Sequence, residues 1–478
     1  MEGHRRILHV IERLAPGGAA VALIAAARRL AASGQRHEIL SLEAPVEATA
    51  KQAEQAGLSV IDGRAPDVAA GERWRSLMAE ADLVWVHAWT SPALDAFLRR
   101  PHPPARWLVW LHVAGDTAPH VLTAALADFP DLLVASCPYS LSLPAFAEAR
   151  CETSVVLSGS DLAPFAAIVR QPGPSFRVGY VGTLDATKMH PDFVQLSAAA
   201  AIPEARFDVF GRGAGEQRLR REIALHGDGR FQLHGWASDV PSALLAMDVF
   251  GYPLARDCHA SAELVLQEAM AAGVPPVILD RGAAVHLVDH GRTGLIARDE
   301  ADYPRRLEQL AADPALRHAL GDAARRHALA NFGADRAAAE FDRLISRLMQ
   351  RPKKQRVWRG HEATGAERLI AALGAAGAPL VASRTVVDDA ASRCADEEIA
   401  AAVPALASAT SGGILHWRRA YPDDPWLRFW SGLMLLGQGR RVPATGEFLR
   451  ARALGLPASR LGRYVAEDAR GARPVCAE

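Results

Sequence analysis

The chain has 478 residues, enough for about three domains at the usual domain size, and 50% of them are hydrophobic, which suffices for a packed core in each. Its 54 basic and 54 acidic residues cancel to a formal net charge of zero, so nothing in the balance calls for nucleic acid. Five scattered cysteines (Cys137, Cys151, Cys258, Cys394, Cys476) never form a CxxC pair, which argues for a reducing compartment and against structural zinc.

The opening MEGHRRILHV has too short an apolar run for a signal peptide. The longest charge-free apolar stretch, Ile399 to Trp417, is diluted by proline, serines and glycines, so no membrane span is expected and the chain is placed in the cytoplasm. Arg6 to Ile11 reads as a strand, Ala15-Pro16-Gly17-Gly18 as a turn, Ala19 to Ala32 as a helix and His37 to Leu42 as a second strand. This is the start of a doubly wound α/β unit, which binds ligands beyond the carboxyl ends of its strands. Gly17 and Gly18 allow close approach of a phosphate or sugar, although two glycines equally make a plain tight turn. Three more short buried strands follow at Ala81 to His87, Arg106 to His112 and Asp131 to Ser136. His112 closes its strand at the ligand-bearing edge; His87 has the same pattern one strand earlier and reads as structural. Residues 166–175, AAIVRQPGPS, read as an interdomain linker.

The plan then repeats. Phe176 to Val181 is a strand, Gly182-Thr183-Leu184 a turn, and Lys188 stands in a polar loop before a helix starting near Pro191. Strands at 207–210, 231–234 and 248–250 follow, with Gly211-Arg212-Gly213 after the first. Within CHASAELVLQEAMAAGVPPVILD (258–280), Ser261 is the expected N-cap, 262–272 a helix, Gly273 and Pro275 its stop, and Pro275 to Leu279 a buried strand. Glu263 and Glu268 are five residues apart, about 140° around a helix, so they serve one cleft only if Glu263 lies in the first, turned residues. Residues 301–350 show helical periodicity. RPKKQRVWRG (351–360) is a basic linker, either a solvated connector or a segment drawn to an anionic membrane surface. Beyond it, Gly432, Leu435, Gly439, Ala444, Phe448 and Ala451 have the spacing of one tetratricopeptide-like repeat, which needs neighbouring helices to bury its face.

LVLQEAMAAGVPPVIL resembles the signature helix of the group 1 (family 4) retaining glycosyltransferases of the GT-B fold. RILHVIERLAPGGAAVALIAAARRLAASG resembles that family's first strand, glycine loop and helix, and Ser158-Gly159-Ser160-Asp161 and Gly291-Arg292-Thr293-Gly294-Leu295 also fit. The resemblance covers about residues 5 to 350. It implies an α/β chain with two Rossmann-like domains facing a cleft, 1–168 on the acceptor side and 169–350 binding the nucleotide sugar, followed by the linker and a small all-α tail at 361–478. It implies that Glu268 holds the donor ribose, that Lys188 neutralises the diphosphate and that His112, in the setting His112-Val113-Ala114-Gly115, contacts the donor sugar. Gly17, Gly18, Gly182, Thr183 and Gly211 would line the donor site. The sequence departs from the family twice: Thr183 stands at the place of a phosphate-binding Arg, and Ala260 at that of a second Glu, which leaves Glu263 as the nearest substitute. One lost charge-assisted contact is worth about 1.5 to 3 kcal/mol; Arg212 is a candidate replacement.

No Asp-x-Asp, HExxH or Cys/His cluster suggests a metal, and no cofactor is implied. A departing diphosphate would then be neutralised by Lys188, the amides near Gly17-Gly18 and a helix N-terminus. The expected reaction is metal-independent, retaining transfer from a nucleotide-diphosphate sugar to a sugar or lipid-linked acceptor, in polysaccharide or glycolipid assembly. Peripheral contact with the inner face of the membrane and a protein partner on residues 361–478 are further expectations. Two other readings stay open: a non-catalytic GT-B protein acting through its tail, and a nucleotide-sugar epimerase on the same fold.

Overall fold

The computed structural model describes residues 5–65, 72–167, 175–401 and 404–466. Most of the expected linker, 168–174, lies outside them. Short runs rich in β-branched and aromatic residues make two wholly parallel sheets among the described residues. The first contains β1 (Arg6–Ile11), β2 (Arg36–Ser41), β3 (Ser59–Asp62), β4 (Leu83–Ala88), β5 (Trp107–Leu111), β6 (Leu132–Ala135) and β7 (Glu152–Val155), in the order β3-β2-β1-β4-β5-β6-β7. Every residue of β4 and β5 is buried, as in a parallel sheet covered by helices on both faces. The second contains β8 (Arg177–Val181), β9 (Arg206–Phe210), β10 (Phe231–Gly235), β11 (Val249–Tyr252), β12 (Pro276–Leu279) and β13 (Leu295–Ala297), in the order β10-β9-β8-β11-β12-β13. In each sheet the order reverses once, between β1 and β4 and between β8 and β11, and loops leaving such switch points form ligand crevices.

Both sheets belong to one unit, formed by residues 1–89, 101–115 and 127–357. The chain returns to its first sheet at the end of this unit. Phe341, Ile345 and Leu348 of the Ala334–Met349 helix join the core of that sheet, with the Phe341 ring 4.3 Å from Trp85 and 4.6 Å from Trp110 between centroids. The return crosses at two glycines: a Cβ on Gly159 would lie 2.3 Å from the carbonyl carbon of Gly333, so no side chain fits there. The basic segment after this helix runs as a half-exposed strap along the first domain. Arg351 pairs with Glu152 and Arg356 with Asp131, Lys353 Nζ donates to the Ala79 carbonyl at 2.9 Å, and Lys354 forms an antiparallel bridge with Ala105. Three of its cations are thus committed to protein partners.

A second, helical unit comprises residues 90–100, 116–126 and 358–478, of which the described part ends at 466. Its core includes Leu369, Leu373, Leu380, Trp417, Leu427, Trp430 and Phe448. The Pro425–Gly437 and Arg441–Ala453 helices form a hairpin whose turn holds Gly439 at φ 74°, and Gly432 lets the Phe448 ring approach, since a Cβ there would meet it at 2.4 Å. Ile399 to Trp417 is the longest charge-free apolar stretch of the sequence. Among the described residues one helical stretch, Gly365–Ser383, is long and apolar enough to cross a membrane by length and composition, with mean hydropathy 1.2. Its Leu369, Leu373 and Leu380 face the core of this unit.

Candidate functional site

Lys188 is fixed from both flanks. Asp185 turns the loop after β8, accepting from the Thr187 amide at 3.0 Å through Oδ1 and from the Lys188 amide at 3.2 Å through its carbonyl. Beyond Lys188, a bridge between Met189 and Leu254 and a bond from the Ala255 amide to the Lys188 carbonyl (2.8 Å) join this loop to the one leaving β11. Lys188 therefore stands where the two switch-point loops meet.

Its Nζ lies 3.2 Å from Glu263 Oε2, and the Tyr252 hydroxyl donates to the same oxygen at 2.5 Å. The Glu263 side chain is 0% exposed and that of Lys188 24%, so the carboxylate is sealed while the lysine side chain keeps partial exposure. Burial alone lowers the Lys188 pKa, but the charge and hydrogen bond of Glu263 more than offset it and leave the pKa above its ordinary value. Burial and the Glu263 charge push Tyr252 far up, so it remains a donor, and push the Cys258 thiol to about 12, so it remains protonated.

The expected N-cap at Ser261 is corrected. The helix is Leu264–Ala271, and the residue before it is Glu263, in the left-handed region at φ 41°, ψ 64°. A non-glycine residue there costs about 1 to 3 kcal/mol unless its surroundings hold it; here the ion pair and the tyrosine hold it. That geometry satisfies the condition set by the 140° argument, because Glu263 is turned off the helix. Ser261 is used otherwise, its Oγ donating to the His112 carbonyl at 3.1 Å. One turn into the helix, Glu268 is half-buried. Burial raises its pKa to about 7, against the opposing pull of the Ser160 hydroxyl and the Lys188 charge.

The first domain supplies the opposite wall. A Cβ on Gly17 would meet nothing within 4 Å, so that residue borders open space, while one on Gly18 would touch Leu264 Cδ1 at 3.6 Å, which puts the glycine loop beside the first residue of the helix. The strand end at His112 is tied to the second domain by a Val113–Ala260 bridge and by the Ala114 amide on the His259 carbonyl (2.8 Å). Gln267, fully buried, adds a bond to the Ser158 carbonyl at 2.9 Å. His112 Nε2 shares a 3.0 Å hydrogen bond with His87 Nδ1, and burial lowers the His112 pKa to about 3, so its ring is neutral. Gly182 and Gly211 form a tight floor: a Cβ on Gly211 would lie 1.9 Å from the Gly182 carbonyl oxygen. Thr183 gives its carbonyl to the Tyr180 hydroxyl (3.0 Å), and its side chain is exposed, as is Arg212, which has no ion pair among the described residues.

The sequence-predicted residues thus gather at the carboxyl ends of the two sheets. Sequence reasoning missed Tyr252, whose only signal is its place at the end of β11 beside the switch point. It also missed His9 and His37.

Residues 175–313 match the family model described as Glycosyl transferases group 1, a span that includes β8 to β13, Lys188, Glu263 and the Leu264–Ala271 helix. No curated protein matches the chain. Among solved structures, Anabaena Alr3699/HepE in complex with UDP-glucose is 22% identical, covers 72% of this chain and 100% of its own, and superposes with a TM-score of 0.59. Sucrose-phosphate synthase from Thermosynechococcus elongatus is 19% identical (73% and 100% covered, TM-score 0.58). A glycosyltransferase from Rickettsia africae ESF-5 is 14% identical (73% and 99% covered, TM-score 0.60). The shared architecture is GT-B, two Rossmann-like domains about a cleft.

Proposed function

We propose that this chain, a glycosyltransferase through its group 1 domain, moves a sugar from a nucleotide-diphosphate sugar to an acceptor hydroxyl, with retention and without a metal. The observation that carries this reading is the Lys188–Glu263–Tyr252 cluster at the switch point of the second sheet. One Nζ proton engages Glu263, and the ammonium, held charged, has two others for diphosphate oxygens. The free amides at the start of the Leu264–Ala271 helix add a preorganised positive dipole end beside it. Glu263, sealed from the cleft, holds Lys188 rather than touching sugar. Glu268 accepts from the ribose hydroxyls, and His112 meets the donor sugar from the opposite wall.

In the transfer step the acceptor oxygen bonds to the anomeric carbon on the face from which the diphosphate leaves. The C–O bond to phosphate breaks, and the acceptor proton passes to the departing phosphate oxygen. Catalysis comes from positioning and leaving-group stabilisation, without a protein nucleophile. A sugar or lipid-linked acceptor in polysaccharide or glycolipid assembly, with the helical unit as a docking element, completes the proposal.

Calorimetric titration of UDP, GDP and ADP in chelator tests it. One nucleotide should bind, and Lys188→Ala and Glu268→Ala should each weaken it about tenfold or more, at least 1.4 kcal/mol. No binding of any of the three at millimolar concentration would overturn the reading. A second expectation concerns pH. With a pKa of about 7, Glu268 is mostly protonated at pH 6 and mostly ionised at pH 8, and only the carboxylate is a full acceptor for ribose. Nucleotide affinity should therefore rise about tenfold across that interval, following the ionised fraction. In Glu268→Gln the slope should shrink to the part contributed by the nucleotide's own terminal phosphate, whose second ionisation lies at about 6.

A further inference from the structure

Strands β2, β1 and β4 of the first sheet, and the residue that follows β5, contribute one histidine each to a single row. In the register, His9 lies opposite Ile39 of β2 and Trp85 of β4; His37 is two residues before Ile39, and His87 two residues after Trp85. His87 in turn lies opposite Trp110 of β5, and His112 is two residues beyond it. Steps of two keep all four rings on one face of the sheet and make the row diagonal. It runs from the interior to the carboxyl edge where the cleft lies.

The rings are joined end to end. His37 Nδ1 and His9 Nε2 are 2.8 Å apart, His9 Nδ1 and His87 Nε2 2.9 Å, and His87 Nδ1 and His112 Nε2 3.0 Å. Successive centroids are separated by 5.1, 5.2 and 5.2 Å. Burial holds His37 at about 4 and His112 at about 3, and lowers His9 and His87 as well, so the row consists of neutral imidazoles.

Neutral imidazole carries one N–H and one bare nitrogen. Four rings therefore hold four protons, three of which make the three links. The fourth must sit at one end, on His37 Nε2 or on His112 Nδ1. His37 Nε2 is buried without a partner among the described residues, whereas His112 Nδ1 is not among the sealed, unpartnered atoms, and His112 stands just past the carboxyl end of β5. A buried N–H with nothing to donate to is the rarer and costlier orphan, and a bare ring nitrogen the cheaper one. The proton accordingly goes to the cleft end, and every link points the same way, with His37 donating to His9, His9 to His87 and His87 to His112.

We propose that His37, His9 and His87 are positioning residues that lock His112 in its Nδ1–H tautomer, so that the cleft is presented with a fixed hydrogen-bond donor for an oxygen of the bound sugar. Each ring's partner decides which nitrogen is protonated, which is how a row can set the state of its last member. A site built around a fixed donor favours a sugar bearing an oxygen at that place over its deoxy analogue, because the analogue leaves the N–H unpaired. The inference rests on the preceding reading only in taking the ligand at His112 to be the donor sugar.

Long-range proton–nitrogen spectra of the full chain labelled with 15N-histidine, with His112 assigned by its loss in His112→Asn, read the tautomer directly. The wild type should show His112 protonated at Nδ1. His87→Leu, which removes the donor to His112 Nε2, should release the ring toward Nε2–H. His87→Asn, whose amide can donate from the place of Nδ1, should restore the wild-type signal. Hydrolytic turnover of UDP-glucose, GDP-mannose or ADP-glucose, whichever binds, should fall about tenfold in His87→Leu and recover in His87→Asn, with the affinity for the corresponding nucleoside diphosphate unchanged in both. An Nε2–H His112 in the wild type, or an unaltered tautomer in His87→Leu, would overturn the proposal. Absence of nucleotide binding by the wild type would instead defeat the reading of the cleft, and the spectra would still decide the tautomer.

Discussion

Lys188→Met lowers turnover by about a hundredfold to a thousandfold, the usual loss when one preorganised stabiliser of developing charge is removed. The loss is not total, because the helix amides that begin at Leu264 and the glycine loop opposite them remain. The same substitution leaves Glu263 as a buried carboxylate whose cation is gone, with Tyr252 and Cys258 as the neighbours offering it protons among the described residues. Removing one partner of a buried pair costs about 3 to 5 kcal/mol. The double variant Lys188→Met with Glu263→Gln separates the two effects. It should recover most of the stability, measured by urea denaturation, and none of the turnover. A Lys188→Met enzyme within threefold of wild-type turnover would mean that the diphosphate is carried by other groups.

The second large effect is expected in the helical unit. Arg460 and Asp396 form a buried bidentate pair, 2.7 Å from Nη1 to Oδ2 and 2.5 Å from Nη2 to Oδ1, with side chains 0% and 1% exposed. Ser383 Oγ and the Tyr464 hydroxyl each donate to Asp396 at 2.7 Å, Arg463 adds a bond at 3.0 Å, and the Arg460 guanidinium lies 4.5 Å from the centroid of the Phe429 ring. The network joins three helices, Ala378–Ser383, Ala390–Ala400 and Ala458–Ala466. Arg460→Leu removes the fully buried cation and leaves Asp396 only Arg463 and the Ser383 and Tyr464 hydroxyls, so it should destabilise this unit by about 3 kcal/mol, the lower end of the usual range for breaking a buried pair. Hydrogen exchange should show the loss of protection confined to the helical unit, with nucleotide affinity at the cleft retained. The acid limb has a definite sign. Burial raises the Asp396 pKa, but the bonds from Arg460, Ser383 and Tyr464 outweigh it and the net shift is downward. Its contribution is therefore present above the unfolded value of about 3.9 and is lost as pH falls through the lower, folded value. Unchanged protection in Arg460→Leu would mean that the pair contributes nothing to holding the three helices.

Several site residues were legible because their signals are local. Gly17-Gly18 follows a β-branched run, Lys188 sits in a polar loop after another, and Glu268 lies on a short helix ended by Gly273. Glu263 was legible only as a condition. Helical geometry separates it from Glu268, and whether it turns off the helix depends on Tyr252 and Lys188, which approach from other loops. Ser261 misled for a related reason: its hydroxyl has the chemistry of a cap, but a carbonyl of the first domain takes its proton instead.

By itself the sequence determined ten of the thirteen described strands, all but β3, β7 and β13, together with the glycine turns at their carboxyl ends and the helical character of the tail, since periodicity and turn chemistry are properties of neighbouring residues. Only the tertiary structure decided that the Ala334–Met349 helix serves the first sheet, that residues 90–100 and 116–126 belong with the helical unit, and that the basic strap spends its charges on Asp131 and Glu152. The histidine row is the clearest case. His9, His37, His87 and His112 are scattered over about a hundred residues of sequence, and they become one chain of hydrogen bonds only when four strands pair in one register. Pairing register is set by contacts between distant segments, which no local pattern encodes.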